Sequence, residues 1–338
     1  MSVNQNNSDD DLDITLRPKT LSDFIGQKHF VENLKVYINA AKQRNEPLDH
    51  ILLSGPPGLG KTTLSNIVSR EMGVDFKSTS APVLTKVGDL AAVLTDIKKG
   101  DVFFIDEIHR LNKSVEEVLY SAMEDYTLDI IIGQGVAAKT LKIDIEPFTL
   151  VGATTRSGLL SSPLLARFGI NEKLEFYNKE EIITILKRSA SILKFGITDK
   201  AAHIVAASSR GTPRIANRLL RRVRDFAQMK GVKEIDEEIA KDSLKRLKID
   251  HLGLNKNDIK LLEIVIDHYD GGPVGCKTIA ISLGEEVDTI EDVYEPYLIQ
   301  IGFIKRTPRG RVVTQKGYEH IGRVYTGGND NEISLFTS

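Results

Sequence analysis

The chain has 338 residues, 41% of them apolar and 27% charged, with a formal net charge of −2. That is long for one core at about 150 residues per domain, and the near balance of charge leaves nucleic-acid affinity to be judged region by region. The single cysteine, Cys276, excludes an internal disulfide, and no apolar run reaches the roughly 18–20 residues of a bilayer span, so a cytoplasmic protein with no membrane partner is expected.

Residues 1–14 are rich in Asn and Asp, with neither a basic start nor an apolar stretch. They predict a disordered lead-in and no secretory signal. Residues 15–177 alternate short apolar runs with amphipathic stretches. Ile51-Leu52-Leu53, Val102-Phe103-Phe104-Ile105 and Thr149-Leu150-Val151-Gly152-Ala153 are strand-length. Continuous apolar runs suit strands covered on both faces, so the fold class is α/β with a parallel sheet. Residues 178–249 read as a small all-helical domain. Asp199 suits an N-cap before Ala201–Ser208, and Gly196, Gly211 and Gly231 punctuate the helices. Residues 250–338 predict helices at Asp258–Tyr269, Lys277–Gly284 and Glu291–Ile301. Short strands follow at Phe303–Arg306 and Arg311–Thr314, around Thr307-Pro308-Arg309-Gly310. Three helices and then a hairpin is the order of a winged helix-turn-helix. The end from Gly327 reads as loose.

Gly55-Pro56-Pro57-Gly58-Leu59-Gly60-Lys61-Thr62-Thr63 matches the phosphate-loop pattern G-x-x-x-x-G-K-[ST]. The strand Ile51–Ser54 before it and a helix Thr62–Arg70 after it supply the right context. Glycines let the backbone curl with its N–H groups inward, and the helix N-terminus adds partial positive charge. Lys61 suits the β- and γ-phosphates of ATP, and the Thr62 hydroxyl suits Mg²⁺. Asp106-Glu107 closes the second strand. Asp106 suits Mg²⁺ through water, and Glu107 suits the general base that polarises the attacking water. His109 fits packing or a local hydrogen bond better than catalysis. The third strand ends in Thr154-Thr155-Arg156, where a hydroxyl either senses the γ-phosphate or is ordinary strand chemistry.

Two arginines suit phosphoryl charge. Arg167, before Phe168, fits either a finger reaching a neighbour's ATP or a surface ion pair. Arg214, in Gly211-Thr212-Pro213-Arg214, opens a helix with Pro213 at its first position and Thr212 as cap. Arg218, Arg221, Arg222 and Arg224 read as spaced around that helix rather than along one stripe.

Together these parts resemble AAA+ ATPases, and more closely the RuvB family, bacterial motors of Holliday junction branch migration in recombination and repair. Leu16-Arg17-Pro18, Phe24-Ile25-Gly26-Gln27, Asp106-Glu107-Ile108-His109-Arg110, Gly152–Arg156, Arg167-Phe168-Gly169, Gly211–Arg222 and Arg306–Arg311 carry the resemblance, over about Leu16–Gly322. It implies an AAA+ domain, a helical lid, a winged-helix head and a homohexameric ring. It implies that Leu16 and Arg17 flank adenine, and that Gly58, Gly60, Lys61, Thr62 and Thr63 hold phosphates and Mg²⁺. It sets Glu124-Asp125-Tyr126 near the nucleotide. It makes Thr155 sensor 1, with Thr154 the close alternative, Arg167 a finger acting in trans, and Tyr177 and Arg214 the groups closing the lid.

Residues 128–145 read as a β-hairpin about Gly133-Gln134-Gly135. It resembles the family's docking hairpin for RuvA, the junction-binding partner. Ile130, Ile131 and Ile132 give it an apolar face, for a partner or for its own domain. RuvC is the further partner implied, in the resolving complex. Arg306, Arg309 and Arg311, beside Lys305, suit sequence-independent contact with duplex phosphates. Two other readings stand beside the motor. A clamp-loader-type switch would lack a winged helix, and a polypeptide remodeller would need an aromatic pore loop.

Overall fold

The computed structural model describes residues 15–132 and 139–325. The expected lead-in, the C-terminal stretch from 327 and the hairpin tip Gly133-Gln134-Gly135 lie outside the described residues. Packing divides the chain into two units, Met1–Ile185 and Leu186–Ser338, where the sequence pattern predicts three domains. The second unit joins the helical region to the winged-helix region.

The first unit is built on a five-stranded sheet in the order β2-β3-β6-β1-β7. Its strands are β1 (Ile51–Ser54), β2 (Phe76–Ser80), β3 (Val102–Asp106), β6 (Thr149–Thr154) and β7 (Ile170–Lys173), all parallel. The three central strands are the three apolar runs, and β6 is buried along its whole length. The edge strands β2 and β7 are half-exposed, Phe-Lys-Ser-Thr-Ser and Ile-Asn-Glu-Lys, and carry no apolar run to reveal them. Around the sheet lie α1 (Lys28–Arg44), α2 (Lys61–Met72), α3 (Val87–Leu94), α4 (Lys113–Glu124) and α5 (Ser162–Ala166). One core cluster joins Phe103, Ile105, Leu119, Phe148, Leu150 and Leu164 between sheet and helices. An antiparallel hairpin, β4 (Thr127–Ile132) with β5 (Lys139–Asp144), stands off the sheet. At its base Leu128 is buried and Ile143 packs on the core, while Leu141 is exposed. The side chains of Ile130, Ile131 and Ile132 lie outside the described residues.

The division between units falls within α6 (Lys179–Ile192). The second unit continues with α7 (Asp199–Ala207), α8 (Pro213–Met229) and α9 (Glu237–Arg246), and a two-residue parallel pair, β8 (Gly196–Ile197) with β9 (Glu234–Ile235). The cap of α7 is Thr198, not Asp199: its hydroxyl accepts from Ala201 N at 3.3 Å. Asp199 is drawn instead to Lys187, 2.6 Å away. Thr212 holds the cap position of α8, but its hydroxyl donates to the Arg210 carbonyl at 3.2 Å rather than capping. The arginines of α8 also differ from the sequence reading. Arg214, Arg218 and Arg222 are exposed at four-residue spacing and so share a stripe, while Arg221 is buried.

The winged-helix region comprises α10 (Lys256–Tyr269), α11 (Cys276–Leu283), α12 (Val287–Thr289), a π-helical stretch at Ile290–Tyr294, α13 (Glu295–Gln300), β10 (Ile304–Thr307), β11 (Gly310–Val313) and α14 (Gln315–His320). Asn255 caps α10, and Asp258 returns a bond to the Asn255 N–H, a reciprocal box. Leu262, Val265, Ile279, Leu298, Phe303 and Val313 form the core. Arg210, ahead of α8, joins the helical part to this region. Its Nη atoms pair with the fully buried Asp258, and its Nε donates to Gly253 O at 2.8 Å.

One buried histidine makes the first unit pH-sensitive. His50, just before β1, accepts the Leu150 N–H on Nδ1 at 2.8 Å, so its Nε2–H faces Met123 O at 3.1 Å. The ring is therefore held neutral. Burial lowers its pKa below 6.5, outweighing the Met123 carbonyl and Asp49. Unfolded chain takes up this proton first, so the stability it contributes is present above 6.5 and lost as pH falls below it. Urea midpoints measured above and below 6.5 should show this decline, and the His50→Gln variant should lose the His50 share. An unchanged slope in that variant would remove His50 as the cause.

Candidate functional site

Three strand ends converge at one edge of the parallel sheet. The first carries the phosphate loop. Gly55, Gly58 and Gly60 have φ of 130°, 82° and 105°, left-handed values that a side chain strains to adopt. A Cβ on Gly55 would also meet Leu174 O at 2.6 Å. Leu59 is buried beneath the loop and Gly60 is the N-cap of α2. The loop thus leads directly into the positive N-terminal end of α2, an arrangement suited to phosphates. Lys61 is buried, and its Nζ donates to Gly55 O at 2.7 Å and Pro56 O at 3.0 Å. Thr62 and Thr63 follow in the first turn of α2, half-buried.

A second layer braces the loop. Tyr177 is buried and donates its hydroxyl to Leu59 O at 3.0 Å. Burial raises its phenol well above the ordinary tyrosine value, so it remains a donor. Its ring lies so close to Gly26 that a Cβ there would meet it at 2.4 Å. Gln27 clasps Glu175 on both sides, donating to its carbonyl at 2.7 Å and accepting from its N–H at 3.3 Å. Phe24 flanks Gly60. The Phe-Ile-Gly-Gln motif is thereby explained as a brace on the loop. Leu16 is buried and Arg17 exposed at the start of the described chain.

The second strand end is Asp106-Glu107. Asp106 accepts the Glu107 N–H at 3.0 Å, and Glu107 has a φ of 52°. That conformation costs a non-glycine residue about 1–2 kcal/mol. Strain of this kind is retained where a side chain has to be aimed. Glu107 Oε2 lies 3.3 Å from His109 Nδ1 and 3.4 Å from Thr155 Oγ1. His109 Nδ1 also meets Thr154 Oγ1 at 2.8 Å, so its role is the local hydrogen bond read from the sequence. The two threonines separate here. Thr154 is fully buried and accepts the Arg156 N–H at 2.9 Å, while Thr155 is the one turned toward Glu107. Gly152 makes room: a Cβ there would meet Ile108 at 2.9 Å and Phe168 at 3.1 Å. The donor set of Thr62 and Asp106, hydroxyl and carboxylate, suits a hard cation such as Mg²⁺.

Arg167 and Glu124-Asp125-Tyr126 lie elsewhere. Met123 O is bonded to His50, before β1, and Ile170 N to His50 O. Both segments therefore sit at the edge where strands begin, across the sheet from the phosphate loop. The sequence reading sets Glu124, Asp125 and Tyr126 near the nucleotide. In the structure Glu124, Asp125 and Tyr126 stand at the strand-start edge of their own sheet. Tyr126 turns inward, edge-on to Phe148 at 6.2 Å. Arg167 pairs with Glu124 at 2.8 Å. In the second unit Arg214 is exposed at the start of α8. Partial burial of its guanidinium lowers the Arg218 pKa, and the charges of Arg210, Arg214, Arg221 and Arg222 lower it further.

The wing is β10–β11, in which Arg306 pairs with Arg311 and Thr307 with Gly310. Glu295 of α13, almost fully buried, takes Arg306 in a fork at 3.0 and 2.8 Å and Arg311 at 3.0 and 3.1 Å. Arg311 also reaches Glu291 at 3.1 Å. Burial would raise the Glu295 carboxyl, but its bonds to Arg306 and Arg311 outweigh that and hold it below the ordinary value. Arg311 is thus turned inward, with 14% of its side chain exposed, whereas Arg306 keeps 57%. Arg309 and Lys305 are exposed at and beside the turn. Sequence reasoning missed Glu295, because nothing in a helix pattern marks the partner of a distant arginine.

The chain resembles known proteins along most of its length. Residues 16–174 match the Holliday junction DNA helicase RuvB P-loop domain, 177–250 the RuvB AAA lid domain and 251–322 the RuvB C-terminal winged helix domain. The RuvB subunit of the Holliday junction branch migration complex of Ligilactobacillus salivarius is 59% identical over 311 residues, 92% of this chain and 93% of its own length. That of Parabacteroides distasonis is 62% identical over 312 residues, 92% of each chain. The solved Thermotoga maritima RuvB Holliday junction branch migration motor superimposes with a TM-score of 0.85 at 53% identity, covering 92% of this chain and 99% of that one.

The two threonines give a test. Thr155→Val should lower the ATP turnover number and leave nucleotide affinity and folding stability unchanged. Thr154→Val should cost about 1–3 kcal/mol of stability, because it strips a buried partner from His109 and the Arg156 N–H. Steady-state ATPase and urea unfolding separate the two, and the reverse pattern would exchange the assignments.

Proposed function

The chain belongs to the RuvB family of ATP-dependent Holliday junction branch migration motors, and on that premise we propose that it acts in the cytoplasm as one subunit of a homohexameric ring that drives duplex DNA past a four-way junction. The observation that carries the ring reading is the placement of Arg167 across the sheet from the phosphate loop. A finger there serves a neighbour's ATP and cannot serve its own.

The chemistry follows from the strand ends. The loop N–H groups of Gly58 and Gly60 and the first turn of α2 receive the phosphates, and Lys61 Nζ leaves the Gly55 and Pro56 carbonyls for the β- and γ-oxygens. Mg²⁺, held by Thr62 and through water by Asp106, supplies positive charge to the same oxygens when bound. Glu107 accepts the proton of the attacking water, and Thr155 orients that water. The neighbour's Arg167 stabilises charge developing on the γ-phosphoryl group, and Arg214 serves as sensor 2 with Tyr177 closing the lid. Leu16 and Arg17 hold the adenine side.

Arg309 and Lys305 grip the DNA backbone, with Arg306 at the half-exposed margin and Arg311 holding the wing in shape. Contacts of this kind do not read sequence, which suits a motor that steps along any duplex. The hairpin 128–145 docks RuvA, supported by the exposed Leu141 above a base packed on its own domain. RuvC joins the same assembly at resolution.

Lys61→Ala should abolish ATP turnover. Arg306→Ala and Arg309→Ala should spare basal ATPase but lose DNA stimulation and migration of a synthetic four-way junction. Removing a cation that neutralises one phosphate should reduce the salt slope of DNA binding by about one. Junction migration unchanged in both wing variants would sink the wing assignment.

A further inference from the structure

The surroundings of Arg167 contain a set of groups that neither the phosphate loop nor the wing requires. The Arg167 guanidinium lies over the Tyr120 ring, 4.4 Å from its centroid. Its Nη2 donates to Glu124 at 2.8 Å and its Nη1 to Pro163 O at 2.8 Å. The ring beneath is itself fastened. Tyr120 Oη donates to Glu116 and meets Ser161 Oγ at 2.9 Å. Ser161 also donates to Glu116, and it caps α5, whose last turn leads into Arg167. Burial raises the Tyr120 phenol, with Glu116 adding to the shift. Tyr120 and Glu124 are one turn apart on α4, so one helix face supplies both the stacking surface and the carboxylate.

We propose that Tyr120 and Glu124 form a clamp that positions the Arg167 finger, so that Glu124 acts on the neighbour's nucleotide through Arg167 rather than on a nucleotide of its own subunit. The proposal rests on the reading of Arg167 as a finger acting in trans. A guanidinium has five N–H donors in a planar fork. The clamp uses one donor on each Nη and covers one face of the plane. One N–H remains on each Nη in fixed directions, which is what bidentate contact with phosphoryl oxygens requires. Stability does not account for the pair. Glu124 keeps 57% of its side chain exposed, and an ion pair so open to water contributes little to folding. Orientation accounts for it, because a long arginine aimed across a subunit boundary otherwise samples many rotamers.

An arginine finger contributes roughly 10³–10⁵ in turnover, so loosening it should cost a visible part. Glu124→Gln should lower ATP turnover about tenfold, with the KM for ATP and the thermal midpoint unchanged. Mixing subunits separates action in trans from action in cis. Lys61→Ala subunits lack a working loop but keep an intact clamp and finger. Mixed with Glu124→Gln subunits, they should raise turnover per intact phosphate loop, as they should for Arg167→Ala subunits. Rescue of Arg167→Ala but not of Glu124→Gln overturns the clamp and leaves the trans finger standing. Rescue of neither overturns the trans finger and the clamp with it. Full activity in Glu124→Gln alone overturns the clamp directly.

Discussion

A parallel sheet has two chemically different edges, and that constraint organises the first unit. Every strand of the sheet ends at the same edge, so the phosphate loop after β1, Asp106-Glu107 after β3 and Thr154-Thr155 after β6 meet without any long-range signal bringing them together. The opposite edge collects what precedes the strands: His50, the Met123 carbonyl, Gly169 and the approach to Arg167. Four residues of β1 separate the edges by about 13 Å. The arginine suited to phosphoryl charge therefore sits on the wrong side for its own loop. On the proposed reading this is the reason for a ring: one subunit supplies the acid-base edge and the next supplies the cation.

Much of this was legible because burial leaves a strong mark. Strands covered on both faces read as nearly continuous apolar runs, so β1, β3 and β6 stand out. The residues that follow them carry chemistry because helix termini and strand ends leave backbone groups open. What escaped notice is governed by side chains remote in sequence. β2 and β7 lie at the sheet edges, where Lys77, Asn171 and Glu172 are tolerated, and no periodicity separates such segments from loops. Asp199 looked like a cap because of its residue type, yet Lys187 competes for it and Thr198 takes the position. No motif or spacing in the sequence singles out Tyr120 on α4. Only the fold brings it under Arg167.

The wing shows how a basic cluster divides under the same physics. Three arginines within six residues suggest one phosphate-binding surface. A carboxylate as buried as Glu295 is costly unless fully paired, and it draws Arg311 inward to secure the hairpin. Arg306 shares the same carboxylate, so its charge is partly neutralised already. Arg309 at the turn and Lys305 on β10 are exposed to solvent. A cluster read as a single site is thus a structural half and a solvent-facing half, and the division follows from which carboxylate lies beneath.

The ion pair of Arg210 with Asp258 ties the helical region to the winged-helix region. A buried pair is weak evidence for stability, since apolar replacements often match it, but losing one partner costs about 3–5 kcal/mol. Its strength lies in geometry. Arg210 has a φ of 56°, and its guanidinium is held at once by Asp258, by Gly253 O and by the Tyr297 ring 5.3 Å away. Asp258 in turn belongs to the reciprocal box that starts α10. Four residues separate Arg210 from Arg214, the arginine proposed to meet the nucleotide. Helix α8 and the helix that opens the winged-helix region are therefore joined through Arg210 by a two-bonded fork with little rotational freedom.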